Sequence, residues 1–238
     1  MDQTRVNTCD LVVIGGGIVG LTIAREWLLR YPKSDVVVLE KERNSLAHGS
    51  GRNSGVVHSG IYYPEGSLRA QLCVSGCQLM REYVTEQGLW IDRCGKLLVP
   101  PSESAFDSMQ ILIDRGRANG VEIHQLTGKE ALGLEPRINP QFDRALFVPI
   151  TSVVDPREVV DRIKKDVIKA GGVIRYNTAA GSIDSQCGKV QTSVGTFEST
   201  KIVNAAGLFA DKIAKRAGLK TRYSFQPFKG KYWKHKNI

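Results

Sequence analysis

Apolar residues fall in short blocks whose spacing alternates between strand and helix. Cys9-Asp10-Leu11-Val12-Val13-Ile14 is a compact, β-branched run, the pattern of a parallel strand buried on both faces. It leads directly into Gly15-Gly16-Gly17. From Ile18 to Arg30 the spacing becomes helical, with Ile18, Leu21, Ala24 and Leu28 near one face and Arg25, Glu26 and Arg30 elsewhere. Tyr31-Pro32-Lys33-Ser34 stops that helix, and Asp35 to Glu40 forms a second buried strand. These three elements make one βαβ unit.

Beyond it the pattern predicts a long polar loop over 44–60, rich in Gly, Ser, Asn and His. A helix follows over 67–87, closed by Gly88, then a strand over 89–99 kinked at Gly95. A helix over 102–119 ends at Gly120, and a short strand covers 122–126. Thr127-Gly128-Lys129-Glu130 has the form of a capping box, opening a short helix that Pro136 ends. A strand over 145–149 precedes Asp155-Pro156, an N-cap with proline at the first helical position, and a helix to Ala170. Val173 to Tyr176 reads as a parallel strand, 182–198 as short antiparallel strands joined at Gly188 and Gly195, and 201–207 as a last buried strand before a helix over 208–217. There is no internal repeat. The fold class expected is α/β.

Composition narrows the function. The 238 residues are 42% apolar and 24% charged, which excludes a disordered or fibrous chain. No apolar run approaches the ~18 residues of a membrane span, and the polar first residues lack a signal core. A cytoplasmic location is expected. Cys9, Cys73, Cys77, Cys94 and Cys187 are odd in number and scattered, so buried thiols are expected rather than disulfides or a zinc site, and no metal is expected. The net charge of +9 is local: residues 215–238 hold eight basic residues and no acid. Phe225, Phe228, Tyr232 and Trp233 interleave with them, so this tail reads as a phosphate-gripping surface or as a strand whose neighbours lie outside the chain. The strand is favoured and no nucleic-acid partner is expected.

Gly15-Gly16-Gly17-Ile18-Val19-Gly20 fits G-x-G-x-x-G, and it stands between a strand and a helix as a dinucleotide site requires. Gly15 permits the tight turn, Gly17 lets a pyrophosphate approach, and Gly20 lets the helix pack on the strand. Glu40 ends the second strand, where its carboxylate, solvated or ligand-bound, would accept from ribose hydroxyls and disfavour a 2′-phosphate. Small residues recur in Gly49-Ser50-Gly51-Arg52-Asn53-Ser54-Gly55 and in Val203-Asn204-Ala205-Ala206-Gly207. A cofactor touched at both places is long, which favours FAD over NAD.

The run Gly51-Arg52-Asn53-Ser54-Gly55-Val56-Val57-His58-Ser59-Gly60-Ile61-Tyr62-Tyr63-Pro64, with Gly66-Ser67-Leu68-Arg69-Ala70 and Cys73 after it, resembles the D-amino-acid-oxidase-type FAD-dependent oxidoreductases. Within them it is most similar to L-2-hydroxyglutarate oxidases and dehydrogenases. Asn204-Ala205-Ala206-Gly207 and Pro227-Phe228-Lys229-Gly230-Lys231-Tyr232 also match that pattern. The resemblance implies a Rossmann-like, GR2-type FAD domain over 1–85 and 150–217. An incomplete α+β substrate lobe would cover 86–149 and 218–238. It implies FAD contacts from Gly15, Gly17, Ile18, Val19, Gly20, Glu40, Lys41, Arg52, Asn53, Ser54, Gly55, Ala206 and Gly207. The implied reaction oxidises an L-2-hydroxy acid, L-2-hydroxyglutarate foremost, to the 2-oxo acid by hydride transfer to flavin N5. Electrons would leave to oxygen or to a quinone, the latter requiring contact with a membrane surface. The chain stops well short of the family's length and is expected to be its N-terminal part. An amine or amino-acid oxidase of the same superfamily and an inactive flavin-binding fragment are the competing readings. His58 is the candidate catalytic residue, as a base near the flavin; a backbone-bonded structural histidine and a covalent flavin link are the other readings.

Overall fold

The computed structural model describes residues 6–228 and Gly230. Two compact units result, one from the described residues of Met1–Arg52 and Val160–Ile238, the other from Asn53–Val159.

The first unit is built on a six-stranded sheet. Its strands are β1 (Val6–Ile14), β2 (Val36–Leu39), β9 (Val173–Arg175), β10 (Ile183–Asp184), β11 (Lys189–Thr192) and β12 (Gly195–Asn204), in the order β10-β11-β12-β1-β2-β9. β12, β1, β2 and β9 run parallel, and β10-β11-β12 is an antiparallel meander. Leu11, Val12 and Val13 are fully buried, as the unbroken apolar run predicts for a strand covered on both faces. Each such side chain contributes roughly 1.5–3 kcal/mol. Helix α1 (Ile18–Arg30) buries Leu21, Ala24 and Leu28. Helix α5 (Pro156–Lys169) carries the chain into this unit and buries Val160, Ile163 and Val167 there. The Arg25 guanidinium donates to Asp166 at 3.2 Å, tying α1 to α5. Helix α6 (Ala210–Arg216) closes the unit with Ile213 against Val12, Ile14 and Phe197.

The second unit holds two three-stranded sheets. One has the order β3 (Val56–Val57), β8 (Ser152–Val154), β4 (Ile91–Asp92); the other has the order β5 (Lys96–Leu98), β7 (Ala145–Val148), β6 (His124–Leu126). Helices α2 (Leu68–Glu86), α3 (Phe106–Ala118) and α4 (Gly128–Leu134) complete it. The capping box at α4 forms as expected: Thr127 Oγ1 accepts from Glu130 N–H at 3.2 Å, and the Glu130 carboxylate accepts from Thr127 N–H at 2.7 Å.

Four expectations change. The loop over 44–60 contains a short strand, because Val56 and Val57 pair antiparallel with Val153 and Ser152. The strand expected over 89–99 is two strands in different sheets. Gly95, at φ +71, turns the chain between them, and a Cβ there would meet the Phe147 ring at 2.3 Å. The strands expected over 182–198 and 201–207 share one ten-residue strand, β12, whose polar stretch Glu198-Ser199-Thr200-Lys201 stays in the ladder beside Thr8 to Leu11. Residues 219–228 form neither helix nor strand, and the rest of the expected tail strand, with Lys229 and Lys231-Tyr232 of the quoted motif, lies outside the described residues. The compact units divide at 52/53 and 159/160. The β3–β8 pairing and the buried Ala70, Cys77 and Val84 of α2 give residues 53–85 their internal contacts in the second unit.

Candidate functional site

In the first unit β12, β1 and β2 end level with one another: Ile14 is in register with Asn204 on one side and Leu39 on the other. Order places β1 between strands reached in opposite directions along the sheet, so its carboxyl end is the switch point where open α/β sheets bind ligands. Gly15 N–H donates to Leu39 O and Ala205 N–H to Ile14 O, both at 2.8 Å, so the turn is pinned from both flanks. Gly15 has φ +112, and a Cβ there would lie 2.3 Å from Ala205 O. A Cβ on Gly20 would lie 1.9 Å from Gly15 O, so this glycine sets the close packing of α1 on β1 that the spacing predicts.

Gly17 is the N-cap of α1 and supplies no side-chain cap. Leu21 N–H is bonded to Gly17 O, which leaves the N–H groups ahead of it without intrahelical acceptors. Ser50 fills one place: its Oγ accepts from Ile18 N–H at 2.9 Å, and a Cβ on Gly17 would meet that oxygen at 2.8 Å. Ile18 is therefore engaged by the protein itself, while Val19, 61% exposed, follows it and Gly20 is buried against the turn. Ser50 was not singled out by the sequence, although it lies in the quoted small-residue run.

Glu40 is buried at 8% exposure, not solvated as expected. Its Oε2 accepts from Gly16 N–H at 2.8 Å and its Oε1 from Glu42 N–H at 2.9 Å. The carboxylate thus ties β2 to the glycine turn, and each oxygen keeps a further lone pair for a ribose hydroxyl. Lys41 contacts the Glu42 carboxylate, stands 3.0 Å from His48 Nε2, and lies 4.6 Å from the centroid of Phe209. His48 Nε2 is also 3.0 Å from Glu42 Oε1, and the Lys41 and His48 contacts hold the Glu42 carboxyl below its usual range. Nothing in the sequence sets His48 apart from the rest of the 44–60 loop. Ala206 N–H donates to Asn204 Oδ1 at 3.2 Å, and Gly207, at φ +54, has open space where a side chain would stand. Arg52 is exposed at the end of the unit.

The second unit carries Asn53, Ser54, Gly55 and His58. Asn53 Oδ1 accepts from Gly55 N–H at 2.9 Å. Gly55 has φ +72 and a Cβ there would be 2.2 Å from Val154 O, so it serves the β3–β8 approach directly. The segment 58–63 is anchored from several sides. Ile61 is fully buried with Val121 and Val148. Asn119 Nδ2 donates to Gly60 O at 3.3 Å and Tyr63 O at 3.0 Å, and Arg115 Nη1 donates to Tyr62 O at 2.9 Å. The Cys73 thiol lies 3.2 Å from His58 O. The His58 ring meets Tyr62 edge-on at 6.4 Å, and Lys96 Nζ sits 4.6 Å from the centroid of the same phenol. Burial first, and the Lys96 charge second, push the His58 imidazole below its ordinary value. A cavity of about 290 Å³ in this unit, lined by Phe106, Met109, Ile113, Leu126 and Arg144, contains none of the expected site residues.

The family model "DAO: FAD dependent oxidoreductase" matches residues 10–238. The chain belongs to the DAO family of FAD-dependent oxidoreductases. It is 34% identical over 228 residues to the L-2-hydroxyglutarate dehydrogenase of Escherichia coli (strain K12), covering 94% of this chain and 54% of that protein. It is 37% identical over 245 residues to the mitochondrial L-2-hydroxyglutarate dehydrogenase of Bos taurus, covering 97% and 52%. The chain therefore spans about half the length of the curated relatives it matches. Among solved structures it is similar to the L-alpha-glycerophosphate oxidase of Mycoplasma pneumoniae with FAD bound, at 29% identity and a TM-score of 0.81 over 89% of this chain and 57% of that one. Glycine oxidase from Geobacillus kaustophilus, at 24% identity and a TM-score of 0.81 over 90% and 59%, shows the same fold. The cofactor of this DAO family is FAD, and the first unit fits its adenosine and pyrophosphate half. The tight turn at Gly15, the side-chain-free N-cap at Gly17, the helix N-terminus that follows it and the carboxylate of Glu40 are what a dinucleotide needs. No helix among the described residues is long and apolar enough to cross a membrane.

Proposed function

We propose that this chain is the FAD-gripping portion of an enzyme that oxidises an L-2-hydroxy acid, L-2-hydroxyglutarate, to 2-oxoglutarate. The observation that carries the reading is His58 and its surroundings: an imidazole held toward its neutral form, fixed by a braced turn, with a cation beside it. The names of relatives at 34% and 37% identity support the substrate. FAD, when bound, supplies the acceptor for the hydride that leaves the hydroxyl-bearing carbon. Glu40 and the α1 N-terminus hold the nucleotide half, with Gly15, Gly17, Ile18, Val19, Gly20, Lys41, Ala206 and Gly207 around it. Arg52, Asn53, Ser54 and Gly55 continue that contact along the chain. His58 takes the hydroxyl proton at a ring nitrogen as the 2-oxo group forms. Oxygen or a quinone takes the electrons afterwards, in a cytoplasmic enzyme that touches a membrane surface when the acceptor is a quinone.

The test is steady-state oxidation by the full-length flavoprotein with a dye acceptor, offering L-2-hydroxyglutarate, its D-enantiomer, glycine and glycerol phosphate. Turnover of the L-hydroxy acid alone is expected. His58→Asn should lower kcat by ~10²–10⁴-fold with retained flavin. Preferred turnover of glycine or of glycerol phosphate would overturn the reading.

A further inference from the structure

Lys96 opens β5 immediately after the Gly95 turn, and that turn aims the strand's first residue at the 58–63 segment. Its ammonium lies 4.6 Å from the centroid of the Tyr62 ring, and the His58 ring packs against the same phenol at 6.4 Å, steeply inclined to it. Both groups thus pack against one aromatic ring, and the Lys96 charge bears on the imidazole. Among the described residues no carboxylate pairs with Lys96. The charged side chains touching residues 58–63 are Arg69, over Tyr63 at 5.5 Å, Arg115, on Tyr62 O, and Lys96. All three are cations, and among the described residues the other titratable group bonded to the segment, the Cys73 thiol, is kept neutral by burial. A half-buried ammonium left without an acid retains its full attraction for an arriving anion.

We propose that Lys96 binds the substrate carboxylate remote from the hydroxyl, and so selects 2-hydroxy dicarboxylic acids over monocarboxylic ones. This rests on the reading of His58 as the base for a 2-hydroxy acid. A base must reach the hydroxyl proton, which puts the adjacent carboxylate beside the imidazole. An ammonium packed on the same phenol then meets the other end of the carbon chain. Lys96 is a point charge on a flexible stem, suited to a terminal carboxylate whose position varies with chain torsion.

The experiment uses the full-length holoprotein with Lys96→Met and Lys96→Arg. One arm measures KM and kcat for L-2-hydroxyglutarate and for L-2-hydroxypentanoate, the monocarboxylic acid of equal chain length. The other measures glutarate binding by calorimetry, with no turnover involved. At pH 8, above the acid limb set by His58, Lys96→Met should weaken glutarate binding and raise KM for the dicarboxylic acid by ~10–100-fold, with little change in KM for the monocarboxylic acid, and Lys96→Arg should restore most of the loss. Equal losses on both acids, undiminished glutarate binding in Lys96→Met, or no glutarate binding by the parent protein would each overturn the proposal. If the parent binds glutarate through Lys96 yet oxidises no 2-hydroxy acid, the proposed reaction fails and the anion site stands. If it oxidises L-2-hydroxyglutarate and Lys96→Met keeps the dicarboxylate preference, the anion site fails and the reaction stands.

Discussion

Replacing Glu40 by alanine separates what the carboxylate does for the fold from what it does for the cofactor. In the protein without ligand, Glu40 already accepts two backbone N–H bonds, from Gly16 at 2.8 Å and Glu42 at 2.9 Å, at 8% exposure. Each hydrogen bond to a charged group is worth about 1.5–3 kcal/mol, and the two share one carboxylate, so their sum is not fully additive. Water entering the space left by alanine recovers part of the loss. A net cost of about 2–4 kcal/mol follows, or roughly 4–16 °C in Tm for a chain of this size. The assay is thermal unfolding of the apoprotein, followed by FAD titration of both proteins below either Tm. The variant should melt earlier without ligand, and should also bind FAD more weakly because the ribose loses its acceptor. An unchanged apoprotein Tm would show that the glycine turn does not depend on this carboxylate. A lowered Tm with unchanged FAD affinity would show that Glu40 is a structural brace alone.

Asn119→Ala removes two bonds that hold the Gly60–Tyr63 turn and should lower kcat in the full-length enzyme more than it raises KM, at a stability cost of about 1–2 kcal/mol in urea unfolding. With His58 as the proposed base, which accepts a proton only when neutral, and its imidazole held below the ordinary 6.5, the acid limb of kcat/KM should lie below that value. Removing the Lys96 charge should move that limb to higher pH, and a limb unmoved by Lys96→Met would contradict their coupling. The Cys9 thiol is pushed up to about 11, by burial first and then by Asp10 and Asp35, so alkylation of Cys9 in the folded protein should be negligible at pH 8 and accelerate only toward pH 11, as peptide mapping would show.

The sheet of the first unit was legible because its signal is local. An unbroken Leu11-Val12-Val13-Ile14 run, a glycine turn and a helical stripe each follow from a few neighbouring residues, and β1, α1 and β2 form where the pattern places them. The capping box at Thr127 and Glu130 was readable for the same reason. What escaped depends on partners distant in sequence. β3 is two residues long and is a strand only because β8 lies beside it. The polar centre of β12 reads as the break between two strands, yet stays extended because β1 pairs with it on either side, Cys9 with Ser199 and Leu11 with Lys201. Ser50 and His48 were hidden likewise: a serine 32 residues away caps α1, and the Lys41–Glu42–His48 contacts arise only when the loop folds back on the end of β2.

The glycines divide the candidate site into parts with different physical demands. Gly15 and Gly20 are excluded from bearing side chains by backbone atoms of the protein itself, Ala205 O and Gly15 O, so any larger residue there would disrupt the sheet before it affected a ligand. Gly55 belongs with them through Val154 O. Gly17 faces only the hydroxyl of Ser50, and Gly207 faces open space. The residues spaced as a nucleotide fingerprint therefore do two jobs, and the spacing alone does not distinguish them. Fold-setting glycines are defined by contact with main chain. At Gly207 the left-handed backbone, φ +54, already favours glycine, which leaves Gly17, facing a movable hydroxyl, as the fingerprint position whose missing side chain no main-chain contact explains.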